Sequence, residues 1–427
     1  MLTLGNDMIK CLYSFFACSV IALAVQAVNV IDNGTINVEL NGDGAIGSLQ
    51  YPLGSDDHVG DCSVRIKYGG AVFETVEYPD SEQAYLPLNL FTGYGREYGS
   101  NFFVSSASFM QTGNSYVDQT VVLLPRVPQA TVTFSYFVDA DVLGTKSNDV
   151  GHYDGANKMV ALSEGSTCIG FVADLDGAES THQAVAYPAD VNQQIATAFL
   201  DAPPANNVTD MAAAVSWNPT GGSANPFVLY TRLIAAPDVA TAAGMTTIET
   251  TDANRRAKVV EQNRIVVKAA RFRHNFKRAD RDTLMFKLDI DLSQYGAIIS
   301  NLFNTDLSVF IGEYRGILPS VVPFRDKKLN QVYKLKDGLN GNRRANLSYN
   351  LRQRRLRVVF NVNQTGLQQA TYVTPASPDA GQIYLPVTII FTGSSSVDTL
   401  KGGHTWIIVK SIPMTYSKKP NNAKGKF

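Results

Sequence analysis

The chain has 427 residues, 45% of them hydrophobic and 18% charged, with 37 Lys+Arg against 38 Asp+Glu. That length holds two or three domains of about 100–200 residues each, and so apolar a chain is not a disordered one. With 5 His and 4 Cys there is little material for a zinc cluster or a cysteine redox centre, while 33 Gly, 18 Pro, 19 Tyr and 21 Phe favour strands and turns.

At the N-terminus, Lys10 precedes an apolar run from Cys11 to Val25, and the segment ends in Val25-Gln26-Ala27. Charged, apolar, then small is the order of a secretory signal peptide. The run is 15 residues long, short of the roughly 20 that a spanning helix needs. The expectation is removal of residues 1–27 and a secreted protein, periplasmic or extracellular and at the cell surface. No later segment reads as a transmembrane helix. Cys11 and Cys18 leave with the signal, so Cys62 and Cys168 remain. In an oxidising compartment such a pair is a candidate disulfide; the alternative is two separately buried thiols.

Alternating apolar residues then recur along the chain, which is the strand period. Leu284, Phe286, Leu288, Ile290 and Leu292 are the clearest case, with Lys287, Asp289 and Asp291 between them. Further strands are expected at 36–40, 63–68, 121–124, 131–138, 168–173, 227–235, 306–314, 331–335, 351–362, 383–391 and 405–412, separated by Gly- and Asn-rich turns. Helical periodicity is confined to Asp190–Leu200 and Asp238–Val260. The fold class is therefore all-β, two β-sandwich domains in tandem.

Charge divides the chain at the same place. Residues 28–250 hold 25 Asp+Glu and 7 Lys+Arg, a net of −18, and residues 251–427 hold 12 and 29, a net of +17. The acidic domain is thus 28–250, the linker about 236–262, and the basic domain 251–427. The end of the chain, 417–427, carries four Lys and reads as a flexible basic tail.

Catalytic signatures are scarce. Gly-x-Ser-x-Gly, His-Glu-x-x-His and P-loop motifs are missing. The Gly42-Asp-Gly44-Ala-Ile-Gly47 run lacks the following helix that a dinucleotide site requires, and Asp43 would repel phosphate, so it reads as a hairpin turn. Asp174, Asp176 and Glu179 gather carboxylates around Gly177 and form a candidate Ca²⁺ site, since hard cations take several oxygens from a loop. Solvated turn carboxylates are the alternative. Tyr94, Arg96 and Tyr98, in a loop-like Gly-rich stretch, are candidate sugar contacts through ring stacking and hydrogen bonding.

The basic domain has two cation clusters. One is Arg271, Arg273, Lys277, Arg278 and Arg281; the other is Arg343, Arg344, Arg352, Arg354, Arg355 and Arg357, the last four being the candidate anion-binding set. Export argues against a nucleic-acid partner. The expected partners are a polysaccharide or anionic cell surface, or self-association between oppositely charged domains of two copies; docking within one chain is the plainer alternative.

The stretch Asn41–Pro52, with Val121-Val-Leu-Leu-Pro125-Arg126 and Thr131–Asp139, resembles galactose-mutarotase-like β-sandwich domains of secreted carbohydrate-active proteins. The resemblance spans residues 30–235 at most and carries no catalytic residue. The basic half resembles small β-sandwich modules at the ends of exported bacterial proteins. Together these features point to an exported, non-enzymatic binding or surface-structural protein. The acidic domain would supply ligand or Ca²⁺ contacts and the basic domain attachment or self-association. The alternative is a secreted carbohydrate-active enzyme using acidic-domain carboxylates.

Overall fold

A computed structural model describes residues 29–40, 46–68, 72–75, 82–86, 90–98, 102–110, 113–125, 132–144, 148–175, 182–185, 208–209, 212–217, 226–247, 257–293, 299–301, 307–311, 314–318, 325–327, 330–336, 343–350, 352–363, 367–395 and 404–427. The signal segment lies outside them. The described strands form three sheets. The first has 8 strands, in the order Asn29–Asp32, Asn37–Leu40, Ile46–Gln50, Asp61–Tyr68, Val132–Asp139, Ala212–Trp217 and His182–Val185, with Val72–Thr75 beside Asp61–Tyr68. The second has 9, in the order Val208–Thr209, Asp149–Asp154, Met159–Glu164, Thr167–Leu175, Phe227–Ala236, Tyr116–Pro125, Phe102–Phe109, Leu90–Tyr98 and Glu82–Leu86.

These two sheets face each other across one core. Phe134, Tyr136 and Trp217 of the first meet Phe171, Leu229 and Leu233 of the second, all buried. Tyr136 and Phe171 sit edge to face with ring centroids 5.9 Å apart.

The third sheet has 13 strands and builds the C-terminal sandwich. Its path runs Tyr314–Leu318, Leu307–Ile311, Ala380–Ser395, His404–Lys419, Asn422–Lys426, Ile265–Asn275, Thr283–Asp291, Arg355–Asn363, Arg343–Asn350, Asn330–Lys336 and Arg325–Lys327. Ala257–Val259 lies parallel to His404–Lys419, and Ile299–Asn301 flanks Ala380–Ser395. Phe286 and Phe360 share one core with Ile389, Trp406 and Ile408, although their strands are far apart in the path. The sheet therefore folds over onto itself.

The alternation in Thr283–Asp291 explains its place: Leu284, Phe286, Leu288 and Ile290 are buried and the residues between them are not. Burying four such side chains contributes about 6–12 kcal/mol before chain entropy is counted.

Three expectations need correction. Of the helix expected over Asp238–Val260, the described residues form a helix at Val239–Ala243 and a strand at Ala257–Val259, and residues 248–256 lie outside them. Asp238 caps the helix by accepting from Thr241 N at 2.7 Å, and Gly244 ends it. Its Ala242 covers Met159, Ala161 and Cys168 on the outer side of the second sheet. The chain's end is a strand, not a flexible tail. Asn422–Lys426 pairs with both His404–Lys419 and Ile265–Asn275, and Ala423 and Gly425 alternate inward between outward lysines. At Gly425 a Cβ would run into the Phe272 ring, so the close strand packing needs glycine. Lastly, the loop-like stretch around residues 91–103 is a β-hairpin, Leu90–Tyr98 paired with Phe102–Phe109. The expected helix Asp190–Leu200 lies outside the described residues. Asn37–Leu40 and Ile46–Gln50 pair antiparallel, so the Gly42–Gly47 run joins the two strands of a hairpin.

Candidate functional site

The strand Ile265–Asn275 buries Ala270, Phe272 and His274, which leaves Arg271 and Arg273 exposed on the outer face. Antiparallel register sets Lys426 directly opposite Arg271 and Lys424 directly opposite Arg273. Like charges in such pairs repel. On the other side of the strand, Met285 stands opposite Arg271 and Thr283 opposite Arg273, and the next strand brings Asn361 and Asn363 alongside them. Asn346 and Arg281 complete a groove of about 920 Å³ across the sheet face. Among the described residues its charged lining is Arg271, Arg273, Arg281 and Lys424, with no carboxylate. Among the described residues none of these four makes an ion pair.

The turn carrying Arg281 is held from below. Asn275 Oδ1 accepts from the backbone of Lys277 and Arg278, each at 3.1 Å. Buried Asp282 accepts from Asn275 N at 2.7 Å and from Gln368 Nε2 at 3.2 Å. His274 stacks on Phe272, its Nε2 lies 2.6 Å from Thr371 Oγ1, and its Nδ1 is 3.3 Å from an Asp282 oxygen without hydrogen-bond alignment. Burial pulls His274 down to about 4, so it is uncharged at neutral pH. Burial also pushes the Asp282 carboxyl above its ordinary value, against the hydrogen bond from Asn275.

The opposite end of the same strands is built differently. Arg357 makes a two-pronged pair with Asp289 at 2.8 and 3.3 Å, Lys268 lies 4.0 Å from Asp289, and Arg264 lies 3.8 Å from Asp291. The Arg357 hydrogen bond holds Asp289 below the usual carboxylate range. A smaller groove of about 410 Å³ there is lined by both signs, including Arg355 and Asp291. Of the candidate set Arg352, Arg354, Arg355 and Arg357, the structure brings the last two onto this neutralised end, Arg355 opposite Asp291. Arg354 takes a left-handed turn conformation at φ 50° and donates to Ser293 O at 3.2 Å. Arg352 is exposed on the same turn.

Other candidates fall elsewhere. Tyr94, Arg96 and Tyr98 are on the strand Leu90–Tyr98, with Arg96 the extra residue of a bulge between Gly95 and Glu97; their side chains lie outside the described residues. Asp174 is exposed near the end of Thr167–Leu175, and Asp176 and Glu179 lie outside the described residues. Among the described residues no three His, Cys, Asp or Glu side chains converge as a metal site. Asp154 closes its own turn through Ala156 N and the backbone and side chain of Asn157, which depresses its pKa.

The disulfide is corrected. Cys62 and Cys168 are both buried thiols that are not joined to each other. Cys62 faces the inter-sheet core, 2.8 Å from Tyr136 Oη, whereas Cys168 is on the other sheet and faces outward beneath Ala242. Burial pushes the Cys168 thiol up to about 12, with a lesser push from Asp238, which leaves it unreactive.

Sequence reasoning found Arg271, Arg273 and Arg281 but missed Lys424, Asn346, Asn361 and Asn363. The available signal was the period-two spacing of Lys424 and Lys426 around Gly425, which matches that of Arg271 and Arg273 around Phe272.

No family model matches the chain. No curated protein matches it either. Among solved structures it is similar to a bacterial glucoamylase complexed with acarbose, at 11% identity and TM-score 0.41, over 51% of this chain and 32% of that one. It is also similar to a putative kojibiose phosphorylase from human microbiome, at 8% identity and TM-score 0.33, over 51% and 32%. A polysaccharide lyase aligns over 89% of this chain and 47% of its own, at 10% identity and TM-score 0.25. The chain thus spans about a third of the first two and under half of the third. Its own geometry defines an all-β protein of two tandem sandwiches, the second bearing a cationic groove.

Proposed function

We propose that the protein is an exported, non-enzymatic binding or surface-structural component whose C-terminal sandwich attaches it to polyanions through the groove. The carrying observation is the contrast on one sheet face. Arg264, Lys268 and Arg357 are matched by Asp289 and Asp291, while Arg271, Arg273, Arg281 and Lys424 are matched by no described carboxylate. Unpaired cations held opposite one another cost stability, and an anionic ligand removes that cost. Export rests on the Lys10-to-Ala27 segment. Ca²⁺ binding by the acidic domain remains part of the reading through Asp174, Asp176 and Glu179.

The test is binding of the full chain to immobilised dextran sulfate, wild type against Arg271→Gln/Arg273→Gln. Binding that the double variant loses supports the reading. Indifference to dextran sulfate, or salt-reversible self-association that needs the same two arginines, overturns it; the second outcome would make another copy's acidic domain the occupant.

A further inference from the structure

Resting on that reading, we propose that the groove takes a linear acidic polysaccharide, its sulfates or carboxylates against the cations and its hydroxyls against Asn346, Asn361 and Asn363.

The groove is long and open at the sheet face. From the strand of Lys424 to the strand of Asn346 there are four strand steps, about 19 Å at the usual spacing. An isolated small anion would occupy a fraction of that; an extended polymer fills it. The described lining carries two chemistries. Arg271, Arg273 and Lys424 offer charge and donors only, whereas each Asn side chain offers both a donor and an acceptor. Among the described residues the three amides are not tied to other side chains, so both functions face the groove. Phosphate, sulfate and carboxylate oxygens accept only, and a chain made of these alone would leave every Asn Oδ1 facing another acceptor. Sugar hydroxyls donate and accept and so match the amides, while the charged substituents match the cations. Phe272, the aromatic ring among the described lining residues, is 3% exposed. Among the described lining residues a single-stranded nucleic acid would therefore find the cations but no stacking platform.

The experiment compares dextran sulfate, alginate and inorganic polyphosphate, matched in total charge, against three forms of the full chain. These are wild type, Arg271→Gln/Arg273→Gln, and Asn346→Ser/Asn361→Ser/Asn363→Ser. The expected result is that the arginine variant loses all three ligands. The asparagine variant should lose about tenfold or more on at least one polysaccharide, as expected for several lost hydrogen bonds, and less than about twofold on polyphosphate. Dextran sulfate against alginate tells sulfate from carboxylate as the bound substituent. An asparagine variant that weakens all three ligands equally, or none, overturns the polysaccharide assignment. So does wild type that holds polyphosphate and neither polysaccharide, an outcome that leaves the polyanion reading standing. Failure to bind any of the three overturns that reading itself. The single variant Asn363→Ser, at an exposed position, repeats the comparison should the triple variant fold poorly.

Discussion

If the groove is an empty anion site, removing its charge should make the protein more stable. Arg271 faces Lys426 and Arg273 faces Lys424 in direct antiparallel register. With charged ends splayed to about 7 Å in water, each pair repels by about 0.6 kcal/mol, so Arg271→Gln/Arg273→Gln relieves about 1 kcal/mol. Glutamine keeps most of the stem that covers the sheet, so lost packing does not mask the effect. The chain has 2 Trp, Trp217 in the first core and Trp406 in the second. In a Trp217→Phe background, Trp406 fluorescence follows the C-terminal sandwich alone. With an m-value of about 1–3 kcal/mol/M, the urea midpoint should rise by about 0.3–1 M at low salt. At 1 M salt the Debye length falls to about 3 Å and the gain should vanish. A double variant that is less stable at low salt, or whose gain ignores salt, would refute the charge argument.

Three further outcomes follow from the packing. Gly425→Ala should cost about 1–3 kcal/mol by overpacking, because its Cβ meets the Phe272 ring; urea denaturation reads it. Phe286→Ala, at a fully buried ring stacked 5.4 Å from Phe360, should cost about 3–5 kcal/mol in the same assay. For pH, the folded His274 value of about 4 lies below the 6.5 of the unfolded chain. The unfolded state therefore binds the extra proton between these values, so this stability is whole above 6.5 and is lost as pH falls towards 4. The difference of 2.5 units is worth about 3 kcal/mol, partly offset by the raised carboxyl of Asp282, which acts with opposite sign. His274→Gln should flatten the fall in urea midpoint between pH 7 and 4.5; an unchanged slope would count against His274 as the source.

The strands of the C-terminal core were legible because one face is buried and the other is not. The spacing of Leu284, Phe286, Leu288 and Ile290 appears unaltered as burial in the structure. The segment after Asp238 misled because its alanines and the capping Asp238 suit a helix, yet the capped turn stops at Gly244 and Ala257–Val259 is drawn into a parallel edge. Lys424 and Lys426 looked like a solvated tail because a five-residue strand of Asn, Ala, Gly and Lys has almost no apolar signal of its own. Its place comes from pairing with strands about 150 residues earlier and immediately before it. The cation clusters were visible, but not which of them is neutralised, since Arg357 and Asp289 are 68 positions apart and meet only through strand register.

Net charge is the wrong quantity for this protein's attraction to polyanions. The whole chain sums to −1, while its two parts carry −18 and +17. At physiological salt, charges more than about 8 Å apart are largely screened, so a bound chain responds to the groove rather than to either total. For a polyelectrolyte ligand the salt dependence counts the counterions released, hence the cations in contact. The slope of log affinity against log salt for dextran sulfate should then have a magnitude of about five, one for each of Arg271, Arg273, Arg281, Lys424 and the adjoining Lys426. Arg271→Gln/Arg273→Gln should lower it by about two if binding persists at low salt. A slope near ten or more would mean that the basic half engages the polymer over its whole surface, and the groove would then have no special standing among its 29 cations.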